Sequence, residues 1–296
     1  MSRTLVVGST GLLGQALMRV GLARGLDIIG AARREAECIL DITNPEQIMR
    51  TIATVRPAVL INTAAIVDLN ACNADPGLAF VVNARAVGIL GQACAETGAR
   101  LIHVSTDHFF SGDGRAVHDE KTPILLLNDY ARSKFAGERF ALLLDSALVV
   151  RTNVVGLRGW RGKPTFAEWC LESLAEDAEV SLFDDYFTSP IDADHLAEAI
   201  LDLAGSPEAS GLLNVAGREV VSKEAFYRSL ARDLGIFPTR ARSGSVRSLP
   251  VRRADSCGLD VRRAETLLGR RLPGLAETTA AIARAHRRRL GAHDAA

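Results

Sequence analysis

Aromatic residues are scarce, with Phe, Trp and Tyr together making up 5% of the 296 residues. A basic surface interleaved with aromatic rings, the usual footprint of a nucleic-acid binder, is therefore missing. Excess charge of one sign is missing too: 35 Lys and Arg stand against 35 Asp and Glu, so no strongly charged partner is implied. The five cysteines (Cys38, Cys72, Cys94, Cys170, Cys257) are odd in number and share no close spacing. That argues against a zinc or disulfide framework and for reduced, packed thiols. No uninterrupted apolar run approaches the roughly 18 residues that a bilayer span requires. The opening stretch MSRTLVVGSTGLLG lacks the small-residue cleavage site of a secretory signal, so it is read as a first strand and a cytoplasmic location is expected.

What is present is a globular composition, 48% hydrophobic and 24% charged, with ample core for one large or two modest domains. Charge is uneven locally, since Arg240 to Arg289 contains 13 arginines. Most of them suit solvated helix faces and a frayed basic tail; one or two guanidinium forks would also suit a diphosphate.

Up to residue 153 short β-branched runs alternate with helical patterns. Strands are expected at Thr4–Val7, Asp27–Ala31, Val59–Asn62, Leu101–Ser105 and Leu148–Arg151. Helices are expected from Gly11, Pro45, Pro76 and Tyr130 onward. The strands are nearly continuous apolar runs, as when helices cover both faces of a parallel sheet. The expectation is an α/β fold: a doubly wound parallel sheet (Rossmann fold) over 1–153, then a smaller mixed α/β C-terminal substrate lobe over 154–284. That lobe is allowed to return a strand or helix to the first sheet, and 285–296 is expected as a disordered basic tail.

Strand Thr4–Val7 runs into Gly8-Ser-Thr-Gly11-Leu-Leu-Gly14, which opens a helix. Gly8 permits a tight turn, Gly11 lets backbone approach a pyrophosphate, and Gly14 allows close helix–strand packing. The helix N-terminus supplies unpaired N–H groups to the anion. An acidic residue at the end of the second strand would select NAD; here Arg33 and Arg34 follow Gly30-Ala-Ala. They suit a 2′-phosphate, so NADP(H) is expected ahead of NAD(H), the alternative for the pair being a solvated turn. Asp41 is placed to accept from an adenine amino group, or is simply part of a helix start before Asn44-Pro45.

Tyr130 and Lys134 stand at i and i+4 on one helix face. A phenol is a weak acid at neutral pH, and a neighbouring ammonium should lower its pKa toward the range useful for acid–base catalysis. Such a pair also occurs on ordinary surface helices. Here Ser105-Thr106-Asp107 closes an earlier strand, so Thr106 can polarise a carbonyl at the carboxyl edge of the sheet. Asp107 is a substrate-contact candidate, and His108 is either a pocket group or a loop residue. The implied chemistry is hydride from a nicotinamide, a proton from Tyr130 and polarisation by Thr106.

Taken together, these segments resemble the extended short-chain dehydrogenase/reductases, and within them the dTDP-4-dehydrorhamnose reductase family. The likeness runs through Leu40-Asp-Ile-Thr-Asn-Pro45, Ile61-Asn-Thr-Ala-Ala65, Val104-Ser-Thr-Asp107, Tyr130-Ala-Arg-Ser-Lys134-Phe-Ala-Gly-Glu138, Arg151-Thr152 and Gly211-Leu-Leu-Asn-Val-Ala-Gly217. The resemblance implies NADPH-dependent reduction of the 4-keto group of a nucleotide-linked 6-deoxyhexose, with Thr106, Tyr130 and Lys134 catalytic. It implies a cofactor site of Gly8, Thr10, Gly11, Leu12, Leu13, Gly14, Arg33, Arg34, Asp41, Ile42, Ala64, Ala65, Ile66, Tyr130 and Lys134. Thr106, Asp107 and Val154 would lie beside the sugar. The chain departs from the family's pattern at Asn153-Val154, where a tryptophan is common, at His108-Phe-Phe110, at Asn70 and Asn73, and at Ala16. The last departure removes a glutamate that some members use for a magnesium-bridged dimer, so no metal is expected, while a homodimer stays open. No nucleic-acid or membrane partner is expected. Two further readings stay open: a related reductase or epimerase on another carbonyl, and a nucleotide-binding regulatory subunit like the non-catalytic partner of methionine adenosyltransferase.

Overall fold

The computed structural model describes residues 3–159, 163–249 and 252–293. Its first half runs β1 (Thr4–Val7), α1 (Leu12–Ala23), β2 (Ile28–Ala32), β3 (Cys38–Ile39), α2 (Pro45–Val55), β4 (Val59–Asn62) and α3 (Leu69–Ala74). A long helix follows, made of α4 (Pro76–Phe80), a π-helical turn (Val81–Arg85) and α5 (Ala86–Thr97). Then come β5 (Arg100–Val104), α6 (Asp129–Ala141) and β6 (Leu148–Arg151).

The second half contains β7 (Val154–Val155), α7 (Phe166–Ala175), β8 (Val180–Phe183), β9 (Phe187–Thr188), β10 (Ile191–Asp192), α8 (Ala193–Ala204) and β11 (Gly211–Asn214). It ends with β12 (Val221–Ser222), α9 (Lys223–Leu234), β13 (Ala241–Gly244), β14 (Ser256–Cys257), α10 (Arg262–Leu268) and α11 (Leu275–His293).

Seven parallel strands form the main sheet in the order β11-β6-β5-β4-β1-β2-β3. Alternate side chains leave each strand on opposite faces, and the two faces build separate cores. Val6, Ile61, Ile102 and Val150 pack with Leu13 and Leu17 of α1 and Leu196 and Ile200 of α8. Leu5, Val7, Leu60, Leu101 and Val149 pack instead with Ile48 and Ile52 of α2 and Val87 and Leu90 of α5. Truncating one of these fully buried leucines to alanine costs about 2–5 kcal/mol.

β11 pairs with β6, from Gly211 opposite Leu148 to Asn214 opposite Arg151. The strand thus rejoins the main sheet after the chain has visited the second lobe. That lobe is built on α7, α9 and α11 around Leu174, Phe226, Tyr227 and Ile282, with small sheets β12-β9-β14 and β13-β8 at its side.

One sequence expectation changes here. The segment expected as a disordered basic tail continues helix α11 as far as His293. Helix Pro76–Thr97 is long and apolar enough by composition to cross a bilayer, although Asn83 and Arg85 interrupt its apolar run. Half of it is buried in the protein, where Val87, Leu90 and Cys94 face the sheet, as in the core helix of a globular fold.

Candidate active site

The segments expected to hold cofactor and substrate lie at the carboxyl edge of the parallel sheet. Gly8–Gly14 follow β1, Arg33 and Arg34 follow β2, Asp41 and Ile42 follow β3, and Ala64–Ile66 follow β4. Thr106 and Asp107 follow β5, and Val154 follows β6. Strand order therefore becomes an order along one groove, from Val154 and Thr106 at one end to Arg33 and Asp41 at the other. β5 and β2 are three inter-strand steps apart, about 14 Å, which an extended dinucleotide can span.

The glycine loop has the shape of a phosphate cradle. Gly8 has φ +86°, and a Cβ there would come within 2.7 Å of the Ala64 amide nitrogen. A Cβ on Gly14 would overlap the Gly8 carbonyl oxygen. The loop is closed by Gly8 N–H donating to Ala31 O at 2.8 Å and Gly11 N–H donating to Gly8 O at 2.9 Å. Helices α2, α6, α7, α8 and α9 each open on a capping side chain (Asn44, Asn128, Thr165, Asp192, Ser222). α1 opens on Gly11, which has none, so its first amides face the groove uncapped by any side chain. Arg33 and Arg34 are exposed just past β2. A pyrophosphate with a phosphorylated ribose beyond it fits these residues. Asp41 lies at the edge as expected, but its carboxylate accepts from Thr43 N–H at 2.9 Å and Thr43 Oγ1 at 2.8 Å, an Asx-type turn.

At the other end, Thr106, Tyr130 and Lys134 come together. Asn128 caps α6 by accepting from Ala131 N–H at 2.9 Å, which sets Tyr130 in the first turn. Thr106 lies close enough to Tyr130 to act on its hydroxyl, and Tyr130 is 7% exposed. Lys134, one turn on, donates from Nζ to Val104 O at 2.7 Å. The expectation that Lys134 lowers the Tyr130 pKa is corrected here. Burial dominates and raises the phenol's pKa, partly offset by the nearby Thr106 hydroxyl. Lys134 itself is pushed down to about 8 by burial, against the opposing pull of Glu138. Tyr130 is thus held protonated at neutral pH, the state required of a proton donor.

Four residues to which the sequence reading gave no role hold this arrangement. Glu138 and Arg151 form a buried bidentate pair, with Arg151 Nε donating to Oε1 at 2.9 Å and Nη2 to Oε2 at 2.8 Å. Ser105 Oγ donates to the same carboxylate at 2.6 Å, so α6, β6 and the end of β5 meet at one point. Asn83, in the π-helical turn, accepts from Ile66 N–H at 2.8 Å and donates to Ile66 O at 2.9 Å and Ser133 Oγ at 3.1 Å. It ties the loop after β4 to helix α6. Gly137 allows α6 this close, since a Cβ there would overlap the Asn83 carbonyl oxygen.

The wall facing Tyr130 comes partly from the second lobe. His108 meets the Tyr130 ring edge-on at 5.8 Å between centroids, and Tyr186 OH lies 3.2 Å from His108 Nε2. His108 is therefore a pocket group, and burial, aided by Arg253 and Lys223, pushes its pKa down to about 4. Asp107 accepts from Asn153 Nδ2 at 2.8 Å, and its burial outweighs the attraction of Lys223, pushing its pKa up to about 7. Position 16 is a buried alanine, and among the described residues no three His, Cys, Asp or Glu side chains are grouped to hold a metal ion.

A doubly wound sheet with a glycine cradle at one strand end and a Thr/Tyr/Lys cluster at another defines the class: an extended short-chain dehydrogenase/reductase fold. Within that class the chain belongs to the RmlD substrate binding domain family, whose sequence profile matches residues 2–287. It is 30% identical over 288 residues to the probable low-salt glycan biosynthesis reductase Agl14 of Haloferax volcanii, covering 94% of this chain and 96% of the relative. It is 34% identical over 256 residues to dTDP-4-dehydrorhamnose reductase of Mycobacterium tuberculosis, covering 84% of this chain and 81% of the relative. The crystal structure of dTDP-4-dehydrorhamnose reductase from Bacillus anthracis in complex with NADP is similar with a TM-score of 0.84 and 24% identity, over 95% of this chain and 97% of that one.

Proposed function

We propose that this protein uses NADPH to reduce the 4-keto group of a nucleotide-linked 6-deoxyhexose, as its relatives named dTDP-4-dehydrorhamnose reductase do. The observation that carries the reading is the meeting of Thr106, Tyr130 and Lys134 at the end of β5, in the same groove as the glycine cradle. Gly8 to Gly14, with Thr10, Leu12 and Leu13, would hold the pyrophosphate, and Arg33 and Arg34 the 2′-phosphate. Asp41, Ile42 and Ala64–Ile66 would line the adenosine and central part of the groove. When bound, NADPH supplies the hydride.

The chain's own groups do the rest. Thr106 Oγ1 donates to the substrate carbonyl and polarises it. The Tyr130 hydroxyl gives its proton to the oxygen as negative charge develops there, and the buried site keeps that proton in place until then. Lys134, held by Val104 O one turn further along α6, would reach the ribose of the bound nicotinamide. Asp107 and Val154 border the sugar. Residues 1–153 would carry the cofactor and the later lobe most of the sugar contacts, in a cytoplasmic protein that works as a homodimer.

The test is NADPH oxidation, followed by absorbance, with purified protein and dTDP-4-keto-6-deoxyhexoses. Turnover is expected. A protein that binds NADPH but consumes none across these sugars would sink the reading in favour of another carbonyl substrate or a regulatory role.

A further inference from the structure

We propose that Lys223 binds the sugar ring and determines which sugars are accepted, its ammonium donating hydrogen bonds to ring hydroxyls near the reacting carbonyl. This rests on the reading above in taking a nucleotide-linked hexose as the ligand.

Lys223 is the first residue of α9, and its backbone N–H donates to Tyr186 O at 3.1 Å, fixing the start of that helix against the pocket wall. Its Nζ lies 4.2 Å from the Phe166 ring centroid and 5.3 Å from that of Tyr186. Tyr186 touches His108, and His108 touches Tyr130, so an unbroken line of side chains joins this ammonium to the expected proton donor. Lys223 is close enough to act electrostatically on both Asp107 and His108. Among the described residues its Nζ nevertheless reaches no hydrogen-bond acceptor. A lysine serving only as packing would lay its stem on the rings and send its charge to open water. This one keeps its charge over the two rings, and its three donors make no hydrogen bond to another described residue.

A second observation identifies the ligand chemistry. Asn153 gives its Nδ2 to Asp107, but its Oδ1 is buried with no partner. The pocket thus offers unused donors on Lys223 and an unused acceptor on Asn153, with the Asp107 carboxyl close by. A hydroxyl, which donates and accepts at once, satisfies both sets. A carboxylate would satisfy Lys223 alone and would be repelled by Asp107 once that group is ionised.

The experiment titrates NADPH-loaded wild type, Lys223→Met and Lys223→Arg with dTDP-glucose, its 2-deoxy and 3-deoxy analogues, and dTDP, by calorimetry. Methionine keeps an apolar stem on Phe166 and Tyr186, and NADPH affinity reports whether each variant is folded. Lys223→Met is expected to weaken dTDP-glucose by about tenfold to a hundredfold, the range for losing a charged hydrogen bond. Its affinity for dTDP and NADPH should stay within about twofold, and at least one deoxy analogue should lose nothing further. Lys223→Arg should restore part of the sugar affinity. The proposal is overturned if Lys223→Met binds dTDP-glucose as tightly as wild type, if it loses dTDP in equal measure, or if wild type prefers the sugar no more than dTDP. Reduction is read separately: a wild type that discriminates hydroxyls in binding but turns over no keto-sugar would refute the reductase assignment and leave Lys223 as the sugar reader.

Discussion

Changing Glu138 to Gln alters one atom and removes one charge from the point where α6, β6 and the end of β5 are joined. The pair is 1% exposed at Glu138 and 3% at Arg151, so water cannot take over the lost contacts. Glutamine keeps one acceptor oxygen, which Ser105 Oγ and Arg151 Nε both address. Its amide nitrogen would then face Arg151 Nη2, donor against donor. Arg151 Nη1 already lacks a hydrogen-bond partner, so beyond the retained Nε contact the cation has only its 4.9 Å approach to the Phe109 ring. Breaking a buried pair on one side costs about 3–5 kcal/mol. Against a total stability of about 5–15 kcal/mol, that is a large fraction.

Urea unfolding followed by circular dichroism should show the midpoint falling with little change in slope. The thermal midpoint should drop by about 6–20 °C, taking about 2–4 °C per kcal/mol for a chain of this order of size. The double variant Glu138→Leu with Arg151→Met should lose less than the sum of the two single losses, because no charge is left stranded. A single-variant loss below about 1 kcal/mol, or additive losses in the double, would refute the claim that this pair fastens the catalytic helix.

Three other outcomes bear on the chemistry. Tyr130→Phe should cut turnover by about a hundredfold or more with NADPH affinity nearly unchanged; full activity would mean the proton comes from elsewhere. Arg33→Ala with Arg34→Ala should weaken NADPH far more than NADH in fluorescence titrations, and equal weakening would remove the 2′-phosphate from the groove's far end. Asp107 has its pKa raised from an ordinary carboxylate value to about 7, so the folded state binds its proton more tightly than the unfolded chain does. Its contribution to stability is therefore full below about pH 4 and lost as pH rises through about 7. Asp107→Asn should remove that component, and parallel stability–pH curves for variant and wild type between pH 4 and 7 would contradict the burial argument.

The main sheet could be read from the chain because its strands are buried on both faces. TLVV, VLIN and LVVR are continuous apolar runs, and Thr4–Val7, Val59–Asn62 and Leu148–Arg151 stand where those runs stand. Phe187–Thr188, Val221–Ser222 and Ser256–Cys257 could not be read that way. Each is a two-residue strand, too short to show a period, and they pair only because the second lobe brings them together. Residues 160–162, in the run Gly156-Leu-Arg-Gly-Trp-Arg-Gly162, lie outside the described residues.

Thr106, Tyr130 and Lys134 were visible as a motif with a strand end before it. Glu138 carried a signal that went unused: it stands at i+8 from Tyr130 and i+4 from Lys134, a further charge on an inward face. Lys223 carried none, since a lysine at a helix start after Ser222 looks like any solvated first turn. The pKa argument for Tyr130 failed for a physical reason. Sequence spacing gave the distance between phenol and ammonium along the helix, but not the depth at which both are buried.

β11 is the outermost strand of the main sheet and shields the edge of β6, yet it is made long after β6. About 60 residues separate Leu148 from its partner Gly211. During synthesis, at about 5–20 residues per second, the growing chain carries an apolar strand with an unpaired edge for about 3–12 s. An open edge of that kind recruits foreign strands. The vulnerable moment for this protein is thus in its manufacture, and variants that slow the making of residues 154–210 should lower soluble yield without harming the finished molecule.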